Sequence, residues 1–260
     1  MKELDPIQGV AQRQFDKQSA NYGKSHILQN TDDLRSTLNV LKPQRGQKLL
    51  DVATGGGHTG FYFARLGLDV TMADISAAML ERVQQTAKDE NLTISVNQHP
   101  AEELPYPDAS FDLVTCRIAA HHFSCPASFV MEAARVLKKG GHFLLIDGTV
   151  EDGEPEAEEW MHQVEKLRDP SHNRLITPLK WAHLCGHAGL RVVHSEIQTM
   201  KQPDLEWYFN TAGTCAENRV AVRTLIATAP GSARRLFRLA EEDGKTIWWW
   251  QRLILVAVKL

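Results

Sequence analysis

The chain has 260 residues, 29 of them basic and 32 acidic, for a net charge of −3 at pH 7. That length buries one sizeable core with helices to spare, and the near balance of charge, with no long basic run, excludes a surface built to attract polyphosphate. No apolar run reaches the roughly 20 residues of a membrane helix, the first residues lack the apolar core of a signal peptide, and Cys116, Cys125, Cys185 and Cys215 form no CxxC pair, so a cytoplasmic protein with reduced thiols is expected.

Residues 1–45 are polar, with helical spacing around Phe15, Leu34, Leu38 and Leu41, and end at Pro43 and Gly46; two helices ahead of the core are predicted. The run from Lys48 to Ala53 is a short buried strand leading into Gly55-Gly56-Gly57, and helical period follows from Thr59 to Leu66. The pattern continues as strand 69–73, helix 76–90, strand 93–98, a proline-rich loop to Asp108, strand 111–116, helix 127–137, a turn at Lys138-Lys139-Gly140-Gly141 and strand 141–146. Strands alternating with helices imply a doubly wound α/β fold, mostly parallel, because each right-handed crossover lays its helix across the sheet. Beyond Asp147 the rhythm changes. An acidic stretch, Glu151 to Glu159, precedes a helix carrying Trp160, Met161, Val164 and Leu167; Thr177-Pro178 starts another as N-cap and first residue. Residues 191–198 alternate like a strand, helical segments run from Asp204 to about Glu242, and an apolar strand from Lys245 to Lys259 carries Trp248, Trp249 and Trp250, whose expected role is core packing rather than a substrate wall. The whole is expected to be one domain over 1–260, with N-terminal helices over 1–45, a ligand-binding core over 46–150, and covering elements at 151–176 and 203–245, where a lid and a solvated helix are alternatives.

In open α/β sheets ligands bind beyond the carboxyl ends of the strands, so the residues that follow strands are the informative ones. The first strand ends in Asp51-Val52-Ala53-Thr54-Gly55-Gly56-Gly57, where glycines let backbone approach a ligand and Asp51 offers a carboxylate to a cationic group. Gly55-x-Gly57-x-x-Gly60 also satisfies the dinucleotide fingerprint and does not choose between cofactors. The second strand ends at Asp74, placed to accept both ribose hydroxyls of an adenosine, with a helix N-cap as the alternative reading.

The loop PAEELPYPDASFDLV from Pro100, together with LLDVATGGGHTG, VTMADISAAML and FVMEAARVLKKGGHFLLID in order, strongly resembles class I S-adenosylmethionine (SAM) dependent methyltransferases of the ubiquinone/menaquinone biosynthesis type, over residues 47–148. The resemblance implies a seven-stranded Rossmann-like sheet with lid helices, and SAM as cofactor with S-adenosylhomocysteine as product. It implies that Asp51 lies near the methionine amino group, that Ala53, Thr54, Gly55 and Gly57 form the turn against the cofactor, and that Asp74 holds the ribose. Ile75 and Met79 would flank adenine and ribose, Ala101 and Glu102 would face the adenine edge, Arg117 would follow the fourth strand at the cofactor, and Tyr22 with Phe15 would close over the methionine end. Ala53 and Thr54 stand where the family has Gly and Cys, and Pro100 where it has an acidic or amide residue; adenine recognition then shifts to His99, Glu102 or water.

After the fourth strand, His121-His122 resembles the family's paired histidines at the edge of the cofactor cavity. Either could take a proton from an acceptor hydroxyl, amine or phenol, or both could only shape the pocket. The eleven histidines show no third ligand at metal-binding spacing, so no metal is expected. The reading is methyl transfer by in-line displacement to a small-molecule acceptor, with no nucleic acid and no membrane span, and with a second copy of the chain as a further partner considered. Two rivals stand beside it. A non-catalytic binding or assembly protein would keep the fold. An NAD(P)-dependent oxidoreductase would have to explain Asp51 and the Pro-Tyr-Pro-Asp loop, and none of Tyr22, Tyr62, Tyr106 and Tyr208 has Lys four residues on.

Overall fold

The computed structural model describes residues 4–22 and 29–260, with the side chains of 20–22 left aside. Helices α1 (Pro6–Tyr22) and α2 (Asp32–Leu41) precede β1 (Lys48–Val52), α3 (His58–Arg65), β2 (Asp69–Asp74), α4 (Ala77–Asp89), β3 (Ser95–Gln98) and β4 (Phe111–Arg117). A 3₁₀ turn (Ala120–His122) leads to α5 (Pro126–Val136), β5 (Leu137–Gly148), α6 (Pro155–Arg168), α7 (Pro178–His187) and β6 (Leu190–Lys201). The chain closes with α8 (Leu205–Ala212), α9 (Ala216–Ala227), α10 (Gly231–Leu236), the short strands β7 (Ala240–Glu242) and β8 (Lys245–Ile247), and β9 (Trp249–Lys259).

The sheet has seven strands in the order β3-β2-β1-β4-β5-β9-β6. β3, β2, β1, β4 and β5 run parallel, and β9 pairs antiparallel with both β5 and β6. Strand order reverses between β1 and β4, which places a ligand crevice at their carboxyl ends.

Side-chain alternation divides the core between the two faces. Leu50, Val114, Leu145 and Leu255 pack on one face with Phe129 of α5 and Trp181 of α7. Their chain neighbours Leu49, Leu113, Leu144 and Ile254 pack on the other, with Leu34 of α2, Phe61 and Phe63 of α3 and Val83 of α4. A third cluster joins α6, α8, α9 and α10 through Trp160, Met161, Leu205, Phe209, Val222 and Phe237, with Trp248 among them.

Three expectations are corrected. Residues 138–141 do not form a separate turn but a bulge within β5, where the register with β4 shifts between Phe111 and Leu113. Residues 240–242, expected to end a helical run, instead form a strand paired in a hairpin with 245–247. The last strand is broken at Trp248, whose carbonyl accepts from the Gln202 N–H while its ring stands 4.6 Å from that of Tyr208. Trp250 packs against Gly148, where an added Cβ would come within 2.8 Å of its ring, and Trp249 lies under the cations of Lys201 and Arg238. Trp248 is buried in the third cluster and Trp250 packs partly buried against it, while Trp249 is half-buried beside the two cations.

Helix ends follow side-chain chemistry. Ser76 caps α4 by accepting from the Met79 N–H at 3.2 Å, and Asp204 caps α8 through the Trp207 N–H at 2.8 Å. Pro178 takes the first turn of α7, although the Thr177 side chain makes no capping bond.

Candidate active site

A cavity opens at the β1/β4 switch point, bounded by the turn after β1, the ends of β2 and β4, the loop around Ala101, and α1 above. Its floor is the turn at 53–57. Ala53 (φ 54°), Gly55 (φ 52°) and Gly57 (φ 81°) all adopt left-handed backbone, and for Ala53 this costs roughly 1–2 kcal/mol where a glycine would cost nothing. The two glycines have different reasons. A Cβ on Gly55 would meet nothing within 4 Å and project into open space, whereas one on Gly57 would strike the Phe61 ring at 2.6 Å.

Asp51 does not line this cavity. It is buried beneath the turn, accepting from Thr54 Oγ1 (2.5 Å), Thr115 Oγ1 (2.7 Å) and the Gly60 N–H (3.1 Å). Burial pushes its pKa up to about 6 against those hydrogen bonds. Its carboxylate braces the turn, and Thr54 and Gly55 present the surface above it to the cavity.

Asp74 does line the cavity. One carboxylate oxygen accepts from the Gly55 N–H at 2.8 Å and the other from the Ser76 N–H at 2.9 Å, so it ties the two strand ends together; the helix cap proper is Ser76. Burial raises its pKa to about 6, opposed by those two bonds. Ile75, Ala101 and Glu102 line the same wall, while Met79 is buried behind it. His99 lines the cavity too, yet both its nitrogens are engaged: Nδ1 donates to the Pro100 carbonyl at 2.8 Å, leaving Nε2 to accept from Tyr106 Oη at 3.0 Å. Of the two protein groups expected to compensate for Pro100, Glu102 retains acceptor capacity; it receives Ser124 on one oxygen and Gln8 on the other.

Helix α1 lies across the opening. Gln8 Nε2 donates to Glu102 (2.9 Å), Gln12 Nε2 to the Ile75 carbonyl (3.0 Å), and Asp16 accepts from Ser76 Oγ (2.5 Å), while Gln8, Ala11 and Phe15 face the cavity. The Tyr22 side chain lies outside the described residues.

Beyond β4, Ile118 turns the chain with φ 54° and the paired histidines follow in opposite roles. His121 points away from the cavity, with Nδ1 2.6 Å from Asp147 at the end of β5. Burial disfavours its charge, but the Asp147 carboxylate outweighs this and the pKa is raised. His122 lines the cavity, Phe15 edge-on at 4.9 Å and the His121 ring at 4.1 Å. Burial, then the charge of His121, press its pKa down to about 3. Arg117 lines the cavity with its guanidinium held by Asp33 (2.8 Å) and the Asn30 carbonyl (2.7 Å), Arg252 sharing the same carboxylate. The candidates thus divide: Ala53, Thr54, Gly55, Asp74, Ile75, Ala101, Glu102, Arg117 and His122 meet around one cavity, and Asp51, Gly57, Met79 and His121 support it from behind.

Sequence reasoning did not single out Gln8, Ala11, His58, Thr59, Ile118 or Phe123. The spacing of Gln8, Ala11 and Phe15 on one helix face was a usable signal, as was Asp147, a carboxylate ending an apolar strand just as Asp51 and Asp74 do. Among the described residues no group of three or more His, Cys, Asp or Glu side chains is placed to hold a metal ion, and no helix is long and apolar enough to cross a membrane.

A seven-stranded sheet with its last pair antiparallel, a glycine turn after β1 and an acidic residue ending β2 define a class I SAM-dependent methyltransferase, and the chain belongs to that family. Residues 50–145 match the methyltransferase domain family. The chain is 29% identical over 245 residues to the uncharacterized methyltransferase YcgJ of Bacillus subtilis, covering 93% of this chain and 96% of that one. The crystal structure of BH2331 from Bacillus halodurans C-125 superimposes with a TM-score of 0.82 at 30% identity, covering 88% of this chain and 99% of that one. The ubiquinone/menaquinone biosynthesis C-methyltransferase UbiE of Shewanella sediminis is 34% identical over 118 residues, only 44% of this chain and 47% of its own. Family membership makes the protein a SAM-dependent methyltransferase with a methyl acceptor as substrate.

Proposed function

We propose that this protein methylates a small molecule with SAM as donor, cofactor and acceptor sharing the cavity at the β1/β4 switch point. The carrying observation is the lining: the turn after β1, Asp74 and Ile75 after β2, Ala101 and Glu102, and His122 and Phe123 after β4 meet around one concave space crossed by α1, and small-molecule sites are concave and mostly apolar with a few convergent polar groups. The residues fit the cofactor. The Gly55 backbone leaves open space where a side chain would stand, Asp74 offers acceptor oxygens to ribose hydroxyls, and Ile75, Ala101 and Glu102 form a wall for adenine.

Bound SAM supplies an already activated methyl group, so this chain's work is alignment and exclusion of water. Helix α1, tied to Ile75, Ser76 and Glu102, closes the cofactor side. The charged side chains Asp74, Glu102 and Arg117 each already have a protein partner, which favours an uncharged acceptor against Phe15, Ile118, Phe123 and His122. His122 is the residue positioned to take the acceptor's proton, and His121 supports it from below.

Calorimetric titration with SAM and with S-adenosylhomocysteine tests the cofactor site, and transfer of labelled methyl from SAM into cell-extract fractions tests the reaction. Saturable binding with label entering a low-mass product is expected. Absence of binding by a folded protein would leave a fold kept for binding or assembly, and label entering protein or nucleic acid would overturn the small-molecule reading.

A further inference from the structure

Two residues with no counterpart in the strand-end pattern stand directly behind His122. Its Nδ1 lies 3.1 Å from Ser171 Oγ, across 49 residues of chain, and Ser171 Oγ donates to Asp169 Oδ1 at 2.5 Å. All three side chains are buried. The loop that carries them is pinned to the 3₁₀ turn: the Asn173 and Arg174 N–H groups donate to the His121 carbonyl at 2.8 and 3.1 Å, and Asn173 Nδ2 donates to the Phe123 carbonyl at 2.6 Å.

Donor counting orients the chain. A carboxylate only accepts, so the single hydroxyl hydrogen of Ser171 is committed to Asp169, and towards His122 its oxygen can only accept. Nδ1 of His122 must therefore carry the hydrogen, which leaves the lone pair on Nε2 of a ring that lines the cavity. The pKa of Asp169 is lowered: burial works against its charge, while a charge on His122, the two Ser171 bonds and Arg168 favour it, and the Ser171 bonds and Arg168 still do so when His122 is neutral.

We propose that Ser171 and Asp169 are positioning residues for methyl transfer: they hold His122 in the Nδ1–H tautomer, so that Nε2 faces the acceptor and receives its proton. The proposal rests on the reading of the cavity as a transfer site. The acceptor's heteroatom forms its bond to the methyl carbon, the carbon–sulfur electron pair stays with the sulfur, and the acceptor's proton passes to Nε2. A weak base suffices, because methylation of a neutral heteroatom leaves positive charge on it and makes its proton strongly acidic. A neutral imidazole is also the form that does not repel a cationic sulfonium. The surroundings of His122 favour it: burial first, then a charge on His121 and Arg168, oppose its charge, Asp169 and Ser171 favour one, and Phe15 and the buried imidazole of His172, whose own pKa is lowered, add no charge. Once protonated, the imidazolium has Asp169 behind it through Ser171, much as a third group orients the base in nucleophilic triads.

Nitrogen-15 NMR of full-length protein with labelled histidine and saturating S-adenosylhomocysteine reads the tautomer directly, with the His122 signals assigned by their loss in His122→Gln. The expected result is an Nδ1–H, Nε2-unprotonated ring in the wild type, conserved in Ser171→Thr and lost to a mixture in Ser171→Ala. Asp169→Asn should invert it, because an amide can donate to Ser171 and free its hydroxyl to donate to Nδ1. An Nε2–H tautomer in the wild type overturns the proposal whatever the variants do, as does an unchanged tautomer in a folded Ser171→Ala protein. Calorimetry on the same sample separates the two claims: failure to bind S-adenosylhomocysteine removes the transfer reading beneath the relay, whereas binding with the wrong tautomer removes the relay alone.

Discussion

The cavity has two sides built on different principles. On the side proposed for the cofactor, positions are set by backbone: left-handed residues in the turn after β1, N–H groups aimed at Asp74, and Asp51 bracing the turn from below. On the side proposed for the acceptor, positions are set by buried side chains far apart in sequence: His121 on Asp147, and His122 on Ser171 and Asp169. A backbone-built site tolerates little change of shape, while a site built from side chains can exchange its residues and with them its substrate.

The contrast can be broken by substitution, beginning where the largest effect is expected. Asp147→Ala removes the partner of a buried imidazolium and should cost about 3 kcal/mol near pH 6. The sign follows from the raised pKa of His121: the pair's contribution is complete below the unfolded value of 6.5 and disappears as pH rises through the higher folded value. Thermal melts of wild type and variant should therefore converge at alkaline pH, and a gap independent of pH would mean that packing alone is lost. Gly57→Ala combines left-handed backbone with contact on Phe61, and about 2 kcal/mol of stability should be lost in denaturant titration. The same substitution at Gly55 should spare more stability and weaken SAM binding instead; equal stability losses at both would erase the distinction between a glycine needed for packing and one needed for a ligand.

Asp74→Ala should weaken SAM binding ten-fold or more, on the order of 1.4 kcal/mol, for lost charge-assisted hydrogen bonds. Because the pKa of Asp74 is raised to about 6, wild-type affinity should also fall as pH drops through 6, and Asp74→Asn should flatten that dependence in calorimetry. Unchanged affinity in the alanine variant would leave Asp74 as a tie between strand ends. The smallest effect belongs to Gln8→Ala, which removes one bond between α1 and Glu102; about 1 kcal/mol or less, read as faster SAM release in stopped-flow, is expected.

Much of the cofactor side was legible in the residues because its parts are neighbours in the chain. Strand, turn and helix occupy 48–65, and Asp74 stands 19 residues beyond the N–H of Gly55 that it accepts. What escaped there was orientation: Asp51 ends a strand as Asp74 does, yet Thr54 and Thr115 take its oxygens and turn it inward. The acceptor side was hardly legible. His122 meets Ser171 across 49 residues, and nothing local distinguishes Ser171 or Asp169 from other polar loop residues. The hairpin at 240–247 was missed because a helical reading carried through charged residues that pair across a two-residue turn.

Sequence alone determined the alternation of strands and helices, the glycine turn and the family, because periodicity and turn chemistry act between residues within reach along the chain. Only the tertiary structure decided which of two adjacent histidines faces the cavity, which carboxylates are turned inward, and which helix closes over the opening. Those choices depend on burial and on hydrogen-bond partners brought together across the whole fold, and such partners leave no periodic trace in the order of the residues.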